Sequence, residues 1–432
     1  MMNSSTGLIA FPIRHFSVLI LALVVLLGTG CSTLREGQVA YKKGDYQAAV
    51  DHWQPLADHG DASAQYLIGL MYERGHGLPQ DDAKAADWYQ RAADQDHAAA
   101  MNNLGIFYQR GRGVSRDIDR ARELYTHAAD QGLPDARNNL GVMSYYGIGV
   151  EPDRREAADH FRFAAIRGSQ QAQYLLGLMY LTNDGVPLNT REGARWISAS
   201  AEQGYPPALY ELAQLHEKGR GVARSDHYAK RAYRHAAIRG HVGAQTNLAL
   251  MLIEGGADES ETADAMSWLE RAGNKGVVQA QYALGRLYAE LGDHNNDKQA
   301  VRWLTLAAQQ GMPEAQTSLA VLYEQGRGVR QNSMEAVRLC LLAAKQDEPH
   351  AQHKLGVYYE TGRSVAKDEL AAYQWYTLAA DNGHERAEQN RDRLNFAFSP
   401  AQRNQAQQRL DQWYANRGET TLGDGLAGVE TD

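Results

Sequence analysis

A repeated unit constrains this chain more than any other feature. The stretch from Met101 to Asp117, MNNLGIFYQRGRGVSRD, has a central Leu-Gly, an aromatic residue one turn later and a Gly-x-Gly-Val turn. The small residue after the central aliphatic recurs every 36 residues, with one spacing of 35. Its occurrences are Gly69, Gly105, Gly141, Gly177, Ala213, Ala249, Gly285, Ala320 and Gly356. A period of this length predicts stacked copies of one supersecondary unit.

A second line of residues keeps the same period and indicates a second helix in each copy. The residues at the middle of this helix are Trp88, Leu124, His160, Trp196, Ala232, Trp268, Trp303, Leu339 and Trp375. An Ala-Ala pair recurs near the end of the same helix. We refer to the first helix of each copy as helix A and to the second as helix B.

The ends of both helices are marked by residues suited to cap them. Asp, Asn and Ser side chains accept hydrogen bonds from the free amides at a helix N-terminus. The predicted N-caps of helix B are Asp81, Asp117, Asp153, Asn189, Ser225, Asp297, Asn332 and Asp368. The Gly-x-Gly turn supplies the positive φ that ends helix A, and a later glycine ends helix B.

The combined pattern resembles the Sel-one-like (SLR) repeat family, a branch of the tetratricopeptide-like solenoids. The resemblance covers residues 61–383 and implies an all-α fold: an αα-solenoid, a right-handed superhelix of about nine helix pairs with a concave binding face. We expect a tetratricopeptide-like capping helix pair at 31–60 and capping helices at 384–416. Residues 417–432 are acidic and poor in apolar side chains, which predicts a disordered tail. Irregular loops in 255–297 predict a boundary between two halves.

The N-terminus has the pattern of an export signal. Arg14 and His15 precede an apolar run, Phe16 to Leu27, that is shorter than the roughly 20 residues of a transmembrane helix. The following Gly28-Thr29-Gly30-Cys31 resembles the lipobox of bacterial lipoproteins, which implies a signal peptide at 1–30 and lipidation of Cys31. Ser32 after the cysteine resembles lipoproteins sorted to the outer membrane, facing the periplasm. The alternative is ordinary cleavage, with Cys31 incidental and the protein soluble in the periplasm or secreted.

The composition and motifs argue against several function classes. The net charge is −8 with both signs interleaved, so no basic stripe indicates a nucleic-acid partner. The Gly-x-Gly turns recur after helices, whereas a phosphate-binding loop follows a strand and occurs once. His350 and His353 are spaced to share a metal, but no third ligand accompanies them. We therefore expect no catalytic residues, no metal and no cofactor, and predict that the chain is not an enzyme.

One line of residues on helix A varies between the copies and is the candidate partner-binding site. It lies three residues before the small residue, about 60° beyond the apolar stripe, and should border the concave face. We call it the candidate register: Tyr66, Asn102, Asn138, Tyr174, Tyr210, Thr246, Tyr282, Thr317 and His353. Its neighbouring positions add Asn103, Asn139 and Asn247. Tyr and Asn suit peptide contacts, but packing between the repeats is an equal alternative.

Two function hypotheses follow. The first is a non-catalytic scaffold for protein–protein interactions, exported and lipid-anchored, that organises envelope proteins. The alternative is an assembly factor that binds glycan, as part of exopolysaccharide or peptidoglycan machinery, through Tyr174 and Tyr210. The identity of the partner lies beyond the sequence.

Overall fold

The computed structural model describes residues 29–256 and 258–416, and within them the chain forms α-helices and no β-strand. It divides into two compact units, Met1–Leu188 and Asn189–Asp432. Unit 1 contains α1 (Thr29–Lys42), α2 (Tyr46–Asp58), α3 (Ala62–Arg74), α4 (Asp82–Ala93), α5 (Ala98–Arg110), α6 (Ile118–Asp130), α7 (Pro134–Tyr146), α8 (Arg154–Ile166) and α9 (Gln170–Thr182).

Unit 2 continues the alternation. Its helices are α10 (Thr190–Glu202), α11 (Pro206–Lys218), α12 (Asp226–Ile238), α13 (Val242–Glu254), α14 (Glu259–Gly273), α15 (Val278–Leu291), α16 (His294–Gln309), α17 (Pro313–Gln325), α18 (Ser333–Ala344), α19 (Pro349–Thr361), α20 (Glu369–Asp381), α21 (Glu385–Ala397) and α22 (Pro400–Asn416). From α3 to α20, odd-numbered helices are helices A and even-numbered helices are helices B. Within each unit, a helix packs on the helices before and after it along the chain.

The division between the units does not fall where the loops suggested. It lies between Leu188 and Asn189, not in 255–297. The loops of that segment are nevertheless irregular, because α13 ends at Glu254 without a left-handed cap residue, and only two residues separate α15 from α16.

The small residue of helix A lets an aromatic side chain of helix B approach its backbone. A Cβ added to Gly69, Gly105 or Gly141 would lie 2.7 Å from a ring carbon of Tyr89, Tyr125 or Phe161, respectively. Several of these tyrosines also donate a hydrogen bond to the helix A residue 16 positions earlier. The pairs are Tyr89–Glu73 at 2.6 Å, Tyr125–Gln109 at 2.8 Å, Tyr233–Glu217 at 2.6 Å and Tyr376–Glu360 at 2.8 Å.

Most of the predicted N-caps of helix B are confirmed. In each, the side chain accepts a hydrogen bond from an amide two or three residues later. The confirmed caps are Asp81, Asp117, Asp153, Asn189, Ser225, Asn332 and Asp368.

The predicted cap at Asp297 is wrong. The short loop makes Asp293 the cap of α16, since its Oδ1 accepts hydrogen bonds from the amides of Asn295 and Asn296, both at 2.9 Å. Asp297 therefore lies inside α16, where it is buried and its Oδ1 is 2.6 Å from Nη2 of Arg327.

The Gly-x-Gly turn performs two separate tasks. Gly111, the first glycine after α5, has φ 68° and ends the helix in the left-handed region, as predicted. Gly113, the second, has φ 64° and lies against the backbone of Asp82 at the start of α4, where a Cβ would overlap the Asp82 carbonyl. The second glycine thus fits one copy closely against the preceding copy.

The two ends of the helical array differ in how they are closed. At the N-terminal end, Trp53 of α2 is buried, and its indole nitrogen donates a 3.1 Å hydrogen bond to the Leu34 carbonyl. The predicted signal peptide up to residue 28, the side chain of Cys31 and the predicted tail from residue 417 lie outside the described residues. At the C-terminal end, α22 packs on α20, where Trp413 meets Trp375 edge-on with ring centroids 5.1 Å apart.

We expect Gly105→Val to lower the free energy of unfolding by about 2–3 kcal/mol, because its side chain would displace the Tyr125 ring from a filled core. Urea denaturation of purified protein measures this change. In a Tyr125→Ala background the ring is absent, so Gly105→Val should lower the free energy of unfolding by much less. Equal costs in both backgrounds would contradict the proposed contact.

Candidate functional site

The candidate residues lie on helices A, but none of them is fully exposed. Asn102 on α5 and Asn138 on α7 are buried, with relative exposures of 7% and 3%, and so are Thr246 and Thr317. The remaining eight are half-buried: Tyr66, Asn103, Asn139, Tyr174, Tyr210, Asn247, Tyr282 and His353. The following copy of the repeat covers part of this register, which a helical wheel drawn for one helix does not show.

Hydrogen bonds connect this register from one helix A to the next. The Asn139 amide donates to Oδ1 of Asn102 at 2.8 Å. The Asn247 amide lies 3.4 Å from the Tyr210 hydroxyl and 3.2 Å from the Tyr233 hydroxyl. Because each bond joins two copies, these residues stabilise the stack.

The same pattern explains a buried polar atom without a partner. Oδ1 of Asn138 accepts no hydrogen bond within the described residues. The residue 37 positions later is Leu175, whereas the residue at the same offset from Asn102 is Asn139. Leucine has no donor, so the chain of hydrogen bonds is interrupted at Asn138.

Histidines at the N-termini of α5, α13 and α21 stack on the candidate register. The ring of Tyr66 lies 4.9 Å from that of His97, centroid to centroid, at an interplanar angle of 26°. Tyr210 and His241 are 4.4 Å apart at 24°. His353 and His384 are 4.3 Å apart at 12°.

The environment of these rings alters their ionisation. Burial raises the pKa of Tyr66 to about 12 and lowers that of His353 to about 4, where His384 and His350 add to the effect. Tyr282 packs at the edge of the unit 2 core, with the Arg286 guanidinium 5.9 Å from its ring centroid. The register therefore contributes to packing, and partner binding by its exposed edges stays a prediction.

A line of glutamines that the sequence reading missed joins several helices A to the helix before them and, in some copies, to a residue after the next helix B. Gln352 on α19 is fully buried, and its Nε2 donates to the Ala344 carbonyl at the end of α18 at 3.1 Å. Its Oε1 accepts a 2.9 Å bond from Asn382, just after α20. The donor bond recurs at Gln65, Gln173, Gln245, Gln281 and Gln316. The signal in the sequence is a recurring Ala-Gln pair in the first turn of helix A.

The exposed side of α12 carries two large apolar side chains, and the ring of one of them, Tyr228, lies 5.3 Å from that of His216 on α11, centroid to centroid. Tyr228 and Ile238 are 54% and 64% exposed. The helix also bears Lys230, Arg231 and Arg234 against a single acidic residue, Asp226. The positions equivalent to Tyr228 on six other helices B hold charged residues: Lys84, Arg120, Glu156, Glu192, Asp264 and Glu335.

None of the helices in the described part of the chain has both the length and the apolar character needed to cross a membrane. Within the same residues, no three His, Cys, Asp or Glu side chains converge in a way that could hold a metal ion. Cys340 is buried, and burial raises the pKa of its thiol to about 12.

Comparison with known proteins identifies the repeat. The family model described as "Sel1 repeat" matches residues 27–61, 62–97, 98–133, 134–169, 170–205, 206–241, 242–277, 278–312, 313–348 and 349–384. The chain belongs to the Sel1 repeat family. The first match includes the segment predicted as a tetratricopeptide-like cap, and the other nine follow the nine predicted copies.

Solved Sel1 repeat structures support the same fold. One is c5321, described as a protective antigen present in uropathogenic Escherichia coli strains and displaying an SLR fold. It is 30% identical, with a TM-score of 0.71, over 93% of this chain and 89% of that chain. A Sel1 repeat protein from Oxalobacter formigenes is also 30% identical, with a TM-score of 0.53, over 56% of this chain and 99% of that one.

Curated relatives match over a short segment. DAP3-binding cell death enhancer 1 of Rattus norvegicus is 50% identical over 44 residues, which is 10% of this chain and 9% of the relative. The Mus musculus protein of the same name matches equally. The chain thus spans less than a tenth of the length of the curated relatives it matches.

The glutamines of the Sel1 repeats provide a matched pair of variants. Gln352 has both a donor and an acceptor bond, whereas Oε1 of Gln245 has no partner within the described residues; the position of Asn382 in the later copy is taken here by Lys275, which is exposed. We expect Gln352→Leu to cost about 2 kcal/mol of unfolding free energy and Gln245→Leu about 1 kcal/mol or less. Chemical denaturation of both variants tests this, and a larger cost for Gln245→Leu would contradict it.

Proposed function

We propose that this Sel1 repeat protein is a non-catalytic scaffold that binds protein partners outside the cytoplasm and is attached to a membrane through lipid on Cys31. Sel1 repeat solenoids are typical of protein–protein interaction scaffolds, because stacked helix pairs offer an extended surface that differs from copy to copy. The two parts of the proposal, binding and anchoring, have separate support and separate tests.

The exposed face of α12 supports partner binding most directly. Its two large apolar side chains, Tyr228 and Ile238, are ten residues apart, so they lie about 15 Å apart along the helix. Arg231 is exposed between them, and Arg234 is held 2.8 Å from Asp264 of the neighbouring α14. An apolar and cationic face of this kind matches a partner surface that is apolar at its centre and acidic around it.

The candidate register has a smaller part in this proposal. One of its aromatic residues, Tyr210, stacks on His241, and its hydroxyl accepts hydrogen bonds from Gln214 and Asn247. A ring used in this way has little surface left for a partner or for a sugar. We therefore assign partner recognition first to residues in which the copies differ and which make no contact between the copies.

Export and anchoring are supported by the N-terminal sequence. Arg14 and His15, the apolar run Phe16 to Leu27 and the small residues before Cys31 form the pattern of a lipoprotein signal. The description of the Escherichia coli relative as a protective antigen also supports a position outside the cytoplasm. Ser32 supports the outer membrane as the destination, with the repeats in the periplasm.

A photo-crosslinking amino acid in place of Tyr228 tests the binding surface. Expressed in the native cells, this variant should give a discrete adduct with one partner protein on irradiation. The matched control carries the same amino acid in place of Lys84, at the equivalent exposed position of α4. Adducts of equal yield at both positions, or none at position 228, would overturn the assignment of α12.

The anchor is tested at the two cysteines. Cys31→Ser should abolish labelling by radioactive palmitate and move the protein from the membrane fraction to the soluble fraction. Cys340→Ser changes only a buried thiol of α18, so labelling should persist. Membrane association that survives Cys31→Ser would exclude the lipid anchor and leave the binding proposal intact.

A further inference from the structure

Two helices A, α5 and α13, and the capping helix α21 begin with a histidine N-cap, which is an unusual choice. His97, His241 and His384 are the N-caps of α5, α13 and α21. In each, Nδ1 accepts a hydrogen bond from the amide three residues later: Ala100 at 3.2 Å, Ala244 at 3.1 Å and Ala387 at 3.2 Å. The usual N-cap residues are Ser, Thr, Asp and Asn, which keep their acceptor atom at all pH values near neutral.

A histidine caps a helix only in its neutral form. Nδ1 is an acceptor when the ring proton is on Nε2, and protonation of Nδ1 turns the acceptor into a donor that faces another donor. The new positive charge would also lie at the N-terminus of a helix, where the helix dipole disfavours cations. Acid therefore removes the cap and adds a repulsive interaction at the same place.

Each capping ring also closes a junction between two copies. His97 stacks on Tyr66, His241 on Tyr210 and His384 on His353, and in each case the histidine caps the helix that follows the repeat carrying both rings. The three caps lie at the same repeat position, four copies apart along the chain. Protonation thus affects both the start of a helix and its contact with the preceding helix A.

The surroundings of the three rings favour the neutral form at neutral pH. Burial lowers the pKa of His97, and the nearby Asp61 carboxylate acts in the opposite direction. The ring that stacks on His97 is the uncharged phenol of Tyr66. Burial lowers the pKa of His241, which faces the Tyr210 phenol.

His384 has the most charged neighbours. Burial is the largest cause that lowers its pKa. His350 and Arg386 also lower it, and Glu348 raises it. His353 stacks on it, and His350 meets it edge-on with ring centroids 5.1 Å apart. Since three imidazoles are close together here, protonation of one disfavours protonation of the others.

We infer that the histidine caps make these three repeat junctions sensitive to acid, so that α5, α13 and α21 loosen at their N-termini as the pH falls, while helices A with other caps do not. A group with a lowered folded-state pKa stabilises the fold above its unfolded value, about 6.5 for histidine, and this stability is lost as the pH decreases. The affected window therefore begins just below neutral pH. The sensitivity needs no partner and does not depend on the proposed function.

Hydrogen exchange of the intact protein, followed by mass spectrometry of peptides, measures the effect at each helix. Between pH 7.5 and 5.0, after correction for the intrinsic exchange rate, protection in the first turns of α5, α13 and α21 should fall, because the histidines lose their acceptor atom on protonation. The first turn of α9 is the internal control, because its cap, Ser169, does not titrate. An equal fall at α9, or no fall at the three histidine-capped helices, would overturn the inference.

Asparagine variants separate titration from the loss of a cap. In His241→Asn the side chain still accepts a hydrogen bond from the Ala244 amide, but it does not titrate in this pH range. Protection at α13 should then be the same at both pH values, while α5 and α21 keep their response. A response at α13 that persists in His241→Asn would show that another group causes it, and the inference would be wrong.

Discussion

The close approach of helix A to helix B is the constraint on which the structure depends. At Gly69, Gly105 and Gly141 the absence of a side chain leaves room for a ring of helix B, and the tyrosine hydroxyls then return a hydrogen bond to helix A. Once the two helices are fixed at this distance, the second glycine of the turn fits against the preceding copy. The repeat period follows from this geometry, since each copy must present the same faces to the next.

The contacts between the copies use polar side chains in buried positions. A buried amide is costly unless both its donor and its acceptor are satisfied. Gln352 meets this requirement because the last carbonyls of one helix B and an amide after the next helix B converge on it. Asn138 and Gln245 do not meet it fully: the partner position of Asn138 holds Leu175, which has no donor, and that of Gln245 holds Lys275, which is exposed and does not bond to it. The copies therefore differ in how fully these polar networks are satisfied.

The period made most of the fold predictable, because the small residues, the caps and the glycines each have a local physical reason. The cap at Asp297 was mispredicted because loop length, which is not visible in a capping pattern, moved the start of α16 to His294. The buried glutamines were missed because glutamine within a helix has no distinctive local preference. The candidate register was placed at the surface from one helix alone, although the next copy covers it. Long-range packing decided each of these cases.

Repeated positions thus build the framework, and partner recognition is assigned to positions where the copies differ. The most direct test compares Tyr210→Ala with Tyr228→Ala, measuring both the urea midpoint of unfolding and recovery of the partner captured by the wild-type protein. The account predicts a lower midpoint for Tyr210→Ala with the partner retained under native conditions. For Tyr228→Ala it predicts an unchanged midpoint and loss of the partner. A stable Tyr210→Ala protein that fails to bind, together with a Tyr228→Ala protein that binds normally, would contradict it.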